Sequence, residues 1–215
     1  VFVAVIPEEA PVAIRRLLRH KTVYLAATVL FLWNFAPGWG TPLFFYLTNG
    51  KGLSESEFGA SQGWVRMGQV LAALGYMALC TRVKFKSLLC FGTLLGVVGG
   101  PIFLFIHSPR EANLICLLAG ASCGIAVAAY YDLLIRCCPK ELEGVAFMVG
   151  QGAVVFAHPL SDLLGSYLYE KGGFNLALAI TTTVTALIFL PILLLPNSVT
   201  DPREGMAVLD ADPPA

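Results

Sequence analysis

The sequence predicts an all-α fold, a polytopic membrane helix bundle of six transmembrane helices. Composition is the first sign: the chain is 57% hydrophobic and 13% charged, where a soluble domain carries about 25% charged residues. Length is the second, because six apolar stretches follow one another, each long enough to cross a bilayer core that takes about 20 helical residues. The third is the loops, which are short and polar. Short connections make consecutive helices antiparallel neighbours.

The first span runs from Thr22 to Thr48, 27 residues without a charge. Its middle carries Pro37, Gly38, Gly40 and Pro42, which should break the helix near mid-depth. Freed backbone groups there survive only when buried in protein or facing a wet cavity. Broken helices at the midplane are where transporters hold substrate. The further spans are Phe58–Cys80, Ser87–His107, Asn113–Ile135, Val145–Tyr169 and Phe174–Leu195. Before them, residues 1–21 read as the end of an earlier helix followed by a cytoplasmic segment. The part from Pro11 to Lys21 alternates apolar and basic residues, as an amphipathic surface helix or a plain linker would. Residues 196–215 are rich in proline and acids and read as a disordered cytoplasmic tail.

Basic residues near the span ends set direction. Ten gather on one side, among them Lys21, Arg82, Lys84, Lys86, Arg136 and Lys140. Three lie on the other, Lys51, Arg110 and Lys171. Both termini are therefore expected in the cytoplasm.

Two three-helix units of inverted topology are expected within the six spans. The first and fourth spans are each interrupted by small residues, Pro37 to Pro42 in one and Gly120 to Gly124 in the other. The second and fifth are the polar spans, and the third and sixth are the plainest. Gly120 and Gly124, taken alone, read as a packing surface. So do Gly92, Gly96 and Gly100 of the third span, since small residues let helices approach closely.

Formal net charge is zero, so no basic footprint for nucleic acid exists. The six cysteines have neither zinc-site nor disulfide spacing, and they read as small packing residues. With three histidines and no paired ligand motif, neither metal, cofactor nor enzyme activity is expected. A membrane-embedded enzyme and a non-transporting scaffold are the weaker alternatives to a transporter.

Ionisable residues inside spans mark the candidate site. Arg66 lies about 12 Å below the surface at 1.5 Å per residue. Gln62, Arg66 and Gln69 share one helix face, which should meet a cavity or a partner acid. On the fifth span, Gln151, His158 and Asp162 fall within about 40° of each other. An acid and a histidine one turn apart can pass a proton. Asp132 and Arg136 form an i, i+4 pair that locks the end of the fourth span. Tyr130 or Tyr131 beside them faces the cavity, and Tyr130 joins the candidate set. Trp33, Trp39 and Trp64 are candidates for stacking on a planar solute. The binding set is thus Asn34, Trp39, Gln62, Arg66, Gln69, Tyr130 and Gln151. The coupling or gating set is Pro37, Asp132, His158 and Asp162.

Two stretches carry a resemblance. One is Leu32 to Tyr46, reading LWNFAPGWGTPLFFY, with Thr48 and Asn49 after it. The other is Cys138 to Phe147, reading CPKELEGVAF. Over Thr22 to Leu195 the chain resembles the C-terminal six-helix half of a major facilitator superfamily transporter, most like the folate–biopterin transporter group. The resemblance implies that these spans are the seventh to twelfth helices of a twelve-helix secondary transporter. It implies an N-terminal half of the same transporter as partner, a small organic solute as cargo, and a pterin or folate as one such solute. It also implies that the first, second, fourth and fifth spans line the central cavity while the third and sixth face lipid. The loop from Thr81 to Lys86 keeps the basic residues of the superfamily's loop signature but lacks its Asp and Gly.

Overall fold

A computed structural model describes residues 21–80, 82–137 and 142–196 of the chain. The expected linker and tail lie outside these residues, as does part of the Cys138 to Phe147 stretch. Among the described residues the protein is helical and contains no strand. In chain order the helices are α1 (Lys21–Asn34), α2 (Thr41–Phe45), α3 (Glu55–Leu79), α4 (Phe85–Gly99), α5 (Pro109–Arg136), α6 (Glu143–Leu187) and α7 (Phe189–Leu194). A π-turn, Tyr46–Gly50, extends α2, and a 3₁₀ turn, Pro101–Phe105, extends α4.

The expected break in the first span is present. Helix α1 stops at Asn34, and the chain restarts as a single turn at Thr41. Gly40 takes φ 83° there, a left-handed conformation that costs glycine little and other residues much. The expected fifth span is the first limb of α6, and the expected sixth runs from the kink at Gly173, φ 68°, through the second limb of α6 into α7. Among the described residues, three segments are long and apolar enough to cross a membrane: Phe85–Phe105, Pro109–Arg136 and Gly144–Leu194. Helix α3 is longer than a membrane needs, at 25 residues, but its polar face lowers its hydropathy.

Helix α3 begins with a capping box. The Ser54 hydroxyl accepts the Glu57 backbone N–H, and Glu57 accepts the Ser54 backbone N–H at 2.8 Å. This satisfies donors that every helix start leaves open. Donation from the Ser54 backbone, then from its hydroxyl, holds the Glu57 carboxyl below its usual value. The cap is therefore present above the ordinary carboxylate range and is lost as pH falls through the lowered value.

Among the described residues, helices α3 and α5 share the most extensive interface. Gly68 sits against the backbone of α5 at Leu117 and Ala121. In return Gly120 sits against the backbone at Val65, and Gly124 against Gln69 and Ala72. Helix α5 runs unbroken through Gly120 and Gly124. These glycines are thus a packing seam, and the fourth span has no interruption to match the break in the first. Gly92 of the third span meets Ala126 of α5 in the same manner. Gly120→Ala has no room for its methyl, since the obstacle is backbone rather than a movable side chain. Overpacking of this kind costs about 1–3 kcal/mol. The expected result is a lower thermal midpoint in detergent, whereas Gly59→Ala, at an exposed helical position with open surroundings, leaves the midpoint in place or raises it, since alanine is the better helix former.

Two apolar clusters hold the helices. One joins Val23 and Leu30 of α1 to Leu89, Leu133, Leu134, Ile188 and Ile192. The other joins Leu43 and Leu47 to Phe103, Ile106, Cys116, Phe174 and Leu178. The first gathers the start of α1 with the ends of α3 and α5. The second gathers the opposite ends of α3 and α5 with the break region. The candidate site lies between them.

Large apolar side chains also face outward. On α3 these include Leu74 at 61% exposure and Met77 at 69%; on α6, Val155 at 67% and Leu163 at 73%. Apolar exposure on this scale marks a membrane or partner surface rather than a free aqueous one.

Candidate functional site

A cavity of ≈ 880 Å³ lies beside the helix break. Drug-sized ligands occupy pockets of about 300–1,000 Å³. Asn34, Trp39 and Gly40 line it from the break, and Gln62, Arg66 and Gln69 line it from α3. Cys123 lines it from α5, and His158, Ser161 and Asp162 from α6. Seven of the eleven expected site residues therefore share one space: Asn34, Trp39, Gln62, Arg66, Gln69, His158 and Asp162.

Arg66 is exposed to the cavity and donates from Nη1 to Gln69 Oε1 at 3.0 Å. Gln69 in turn donates from Nε2 to Cys123 Sγ at 3.3 Å. The two residues sit at i and i+3 on α3, so the helix itself sets their approach. Among the described residues Arg66 forms no ion pair with a carboxylate. The face therefore meets a cavity, not a partner acid. Its guanidinium keeps most of its five donors for whatever enters.

Asp162 faces Arg66's cavity from α6 and does a second job. Its Oδ1 accepts the backbone N–H of Thr41 at 3.2 Å, the first residue after the break. A Cβ on Gly40 would collide with that same oxygen. Gly38 within the break donates its N–H to the Thr181 hydroxyl of α6. That hydroxyl donates onward to the Ala177 carbonyl at 2.9 Å. Gly165 lies against the Pro37 carbonyl, with no room for a side chain. The broken backbone thus rests on α6 at Gly165, Asp162 and Thr181. Pro37 is buried in this contact.

Aromatic rings wall the cavity. Trp39 meets Phe103 edge-on at 4.7 Å between centroids, and Trp33 meets Tyr130 edge-on at 5.2 Å. Such pairs fix ring orientation. Trp64 lies on α3 away from the cavity and is partly exposed, so it does not serve as a stacking platform there.

Four expected site residues stand elsewhere. Tyr130 is fully buried, and its hydroxyl pairs with the Thr93 hydroxyl at 2.7 Å; it packs the core behind Trp33. Asp132 is held at the far end of α5, accepting from Tyr76 at 2.7 Å and Arg136 at 2.9 Å. Arg136 also lies over the Phe85 ring at 4.3 Å. That cluster joins the ends of α3, α4 and α5, the locking role its spacing suggested. Gln151 is half-buried on α6 outside the cavity. Pro37 holds the break without lining the space.

Three further findings were not read from the sequence. The expected lipid-facing third and sixth spans both reach the cavity, through Gly96 and Gly99 of α4 and Thr185 of α6. Cys123 partners Gln69. Thr181 anchors the break, and the run of threonines at 181, 182, 183 and 185 was the visible signal for it. His158 and Asp162 share the cavity wall, but among the described residues no hydrogen bond joins them.

No protein-family model matches the chain, and no curated protein matches it at a significant level. The site's geometry therefore carries the functional argument.

Proposed function

We propose that the protein is the C-terminal half of a secondary transporter that carries a small organic solute by alternating access. Six membrane spans, arranged as two inverted three-helix units with both termini in the cytoplasm, form this half. An N-terminal half completes the cavity, and the outward apolar faces meet lipid and that partner. One observation carries the reading. A helix break rests on α6 and opens onto an ≈ 880 Å³ cavity that presents a cation free of any described acid. Irregular backbone at membrane depth is tolerated where it lines such a space.

Arg66 holds an anionic group of the solute in this reading, the Gln62 and Asn34 amides pair with its polar edge, and Trp33 and Trp39 flank it. A pterin or folate fits this description and follows the resemblance of Leu32 to Tyr46. Asp162 and His158 are the groups that move protons. No covalent chemistry is required of the protein.

The reading is tested in vesicles containing the full-length transporter. Radiolabelled folate or a simple pterin should accumulate saturably when an inward proton gradient is imposed, and collapse of the gradient should stop accumulation. Uptake that stays linear with concentration and indifferent to the gradient removes the reading. The orientation is checked in the same vesicles. Cysteines placed at Lys51 and Lys84 should label from opposite sides, because ten basic residues crowd one end and three the other.

A further inference from the structure

Gln69 is held by α5 twice, at its backbone and at its side chain. Its backbone lies against Gly124 of α5, where a Cβ would come within 2.7 Å of the Gln69 carbonyl oxygen. One residue earlier on α5, the Cys123 thiol accepts from Gln69 Nε2 at 3.3 Å. The Val65 backbone, next to Arg66, lies against Gly120 in the same way. Arg66 therefore stands between two backbone sites that α5 fixes, and its Nη1 donates to the Gln69 amide oxygen at 3.0 Å.

A side-chain amide can face either way, and only one way serves here. A guanidinium is donor-only, so it needs the oxygen end. Turned over, the amide would set its NH2 group against the cation. The thiol takes the NH2 end and removes that alternative. Nη1 is the terminal nitrogen on the side away from the Nε–H, so a bond there leaves the Nε–Nη2 edge open. That edge carries two parallel N–H groups whose spacing matches the two oxygens of a carboxylate. Among the described residues no acid pairs with it.

The geometry points to Gln69 as a positioning residue: locked by Cys123, its amide holds one corner of Arg66 and leaves the Nε–Nη2 edge to grip a carboxylate of the solute at two points. The inference rests on the proposed transport reading and deepens it. Gln69 moves from the residues that touch the solute to those that aim the one that does. The anionic group narrows to a carboxylate. A phosphate monoester would bring about 1.5–2 negative charges, more than one arginine balances in a lining that also holds Asp162.

Uptake by the full-length transporter in vesicles tests this with two solutes: folate, which carries carboxylates, and a simple pterin, which carries none. Gln69→Leu keeps the bulk but neither end of the amide. Its KM for folate should rise about two- to tenfold, the loss of one net hydrogen bond. Its KM for the pterin should rise less, so the preference for folate falls. Cys123→Ala should shift the preference in the same direction, and Cys123→Ser, which keeps an acceptor, should restore it. Gln69→Glu should cost folate most, because a carboxylate at that position occupies Arg66 itself. A merely structural role would change both solutes alike. Equal effects on the two solutes overturn the inference, and so does a Cys123→Ser as impaired as Cys123→Ala.

Thermal midpoints in detergent, without solute, supply the second arm. Gln69→Leu and Cys123→Ala remove the same bond, so the double variant should lose less than the sum of the two single losses. Additive losses mean that the thiol does not hold the amide, and they overturn the inference whatever the vesicles show. Coupled midpoints with no saturable uptake of either solute by the wild-type protein overturn the transport reading instead. The carboxylate grip falls with that reading, while the lock between Gln69 and Cys123 stands.

Discussion

Arg66→Ala should lower the apparent affinity for an anionic solute by roughly tenfold to 150-fold, the equivalent of the 1.5–3 kcal/mol carried by a hydrogen bond to a charged group. Arg66 is exposed to the cavity and spends one donor on Gln69, so most of its fork is available for recognition. Insertion and folding should be unharmed, because removing a charge from a span favours insertion. Gln69 still has Cys123 as a partner in the variant. Arg66→Lys should recover charge attraction but not a two-point grip, and its affinity should fall between the other two. The checks are solute uptake at several concentrations and the amount of folded protein in the membrane. Wild-type uptake by Arg66→Ala would remove Arg66 from the binding site.

Asp162→Asn should abolish accumulation driven by a pH gradient while solute exchange across the membrane continues. Asparagine is nearly isosteric and keeps an oxygen for the Thr41 N–H, so the break should still form. It holds no exchangeable charge, so no proton crosses with the solute. Exchange needs only the loaded carrier to reorient. Uptake against an imposed gradient and counterflow at equal pH separate the two outcomes. Accumulation that survives would place the coupling acid outside this half. His158→Gln should give a milder loss, since His158 lines the cavity without bonding to Asp162.

Much of the site was legible because periodicity and charge are strong signals in an apolar chain. Gln62, Arg66 and Gln69 share a face by their spacing alone, and the cavity is where that face could be satisfied. The break at Pro37 to Pro42 was legible because proline and glycine act on the backbone locally. Gln151 shows the limit of the same reasoning. Spacing places it in the direction of Asp162, but 11 residues of helix put it about 16 Å away, past the end of the cavity. Periodicity gives a side chain's bearing, not its depth. Tyr130 was misread for another reason: a hydroxyl near a charged helix end looks like a site residue until Thr93 appears 37 positions away to satisfy it. Thr181 was passed over because a threonine that bonds its own helix looks neutral in sequence, and its second partner lies 143 residues earlier.

The glycine seam between α3 and α5 has a mechanical consequence. Surfaces that interlock through backbone cannot slide without first separating, so the two helices behave as a single stiff plate. Arg66 rides on that plate. Asp162 rides on α6, across the cavity, beside the helix break. The cation and the acid therefore sit on different helices that face each other across the cavity. In the proposed transporter, a solute long enough to touch both would act as a gauge block in a caliper: it alone could report, by its own length, that the two sides have reached the right separation. Selection by size would then arise from the motion itself and not from the shape of any resting pocket.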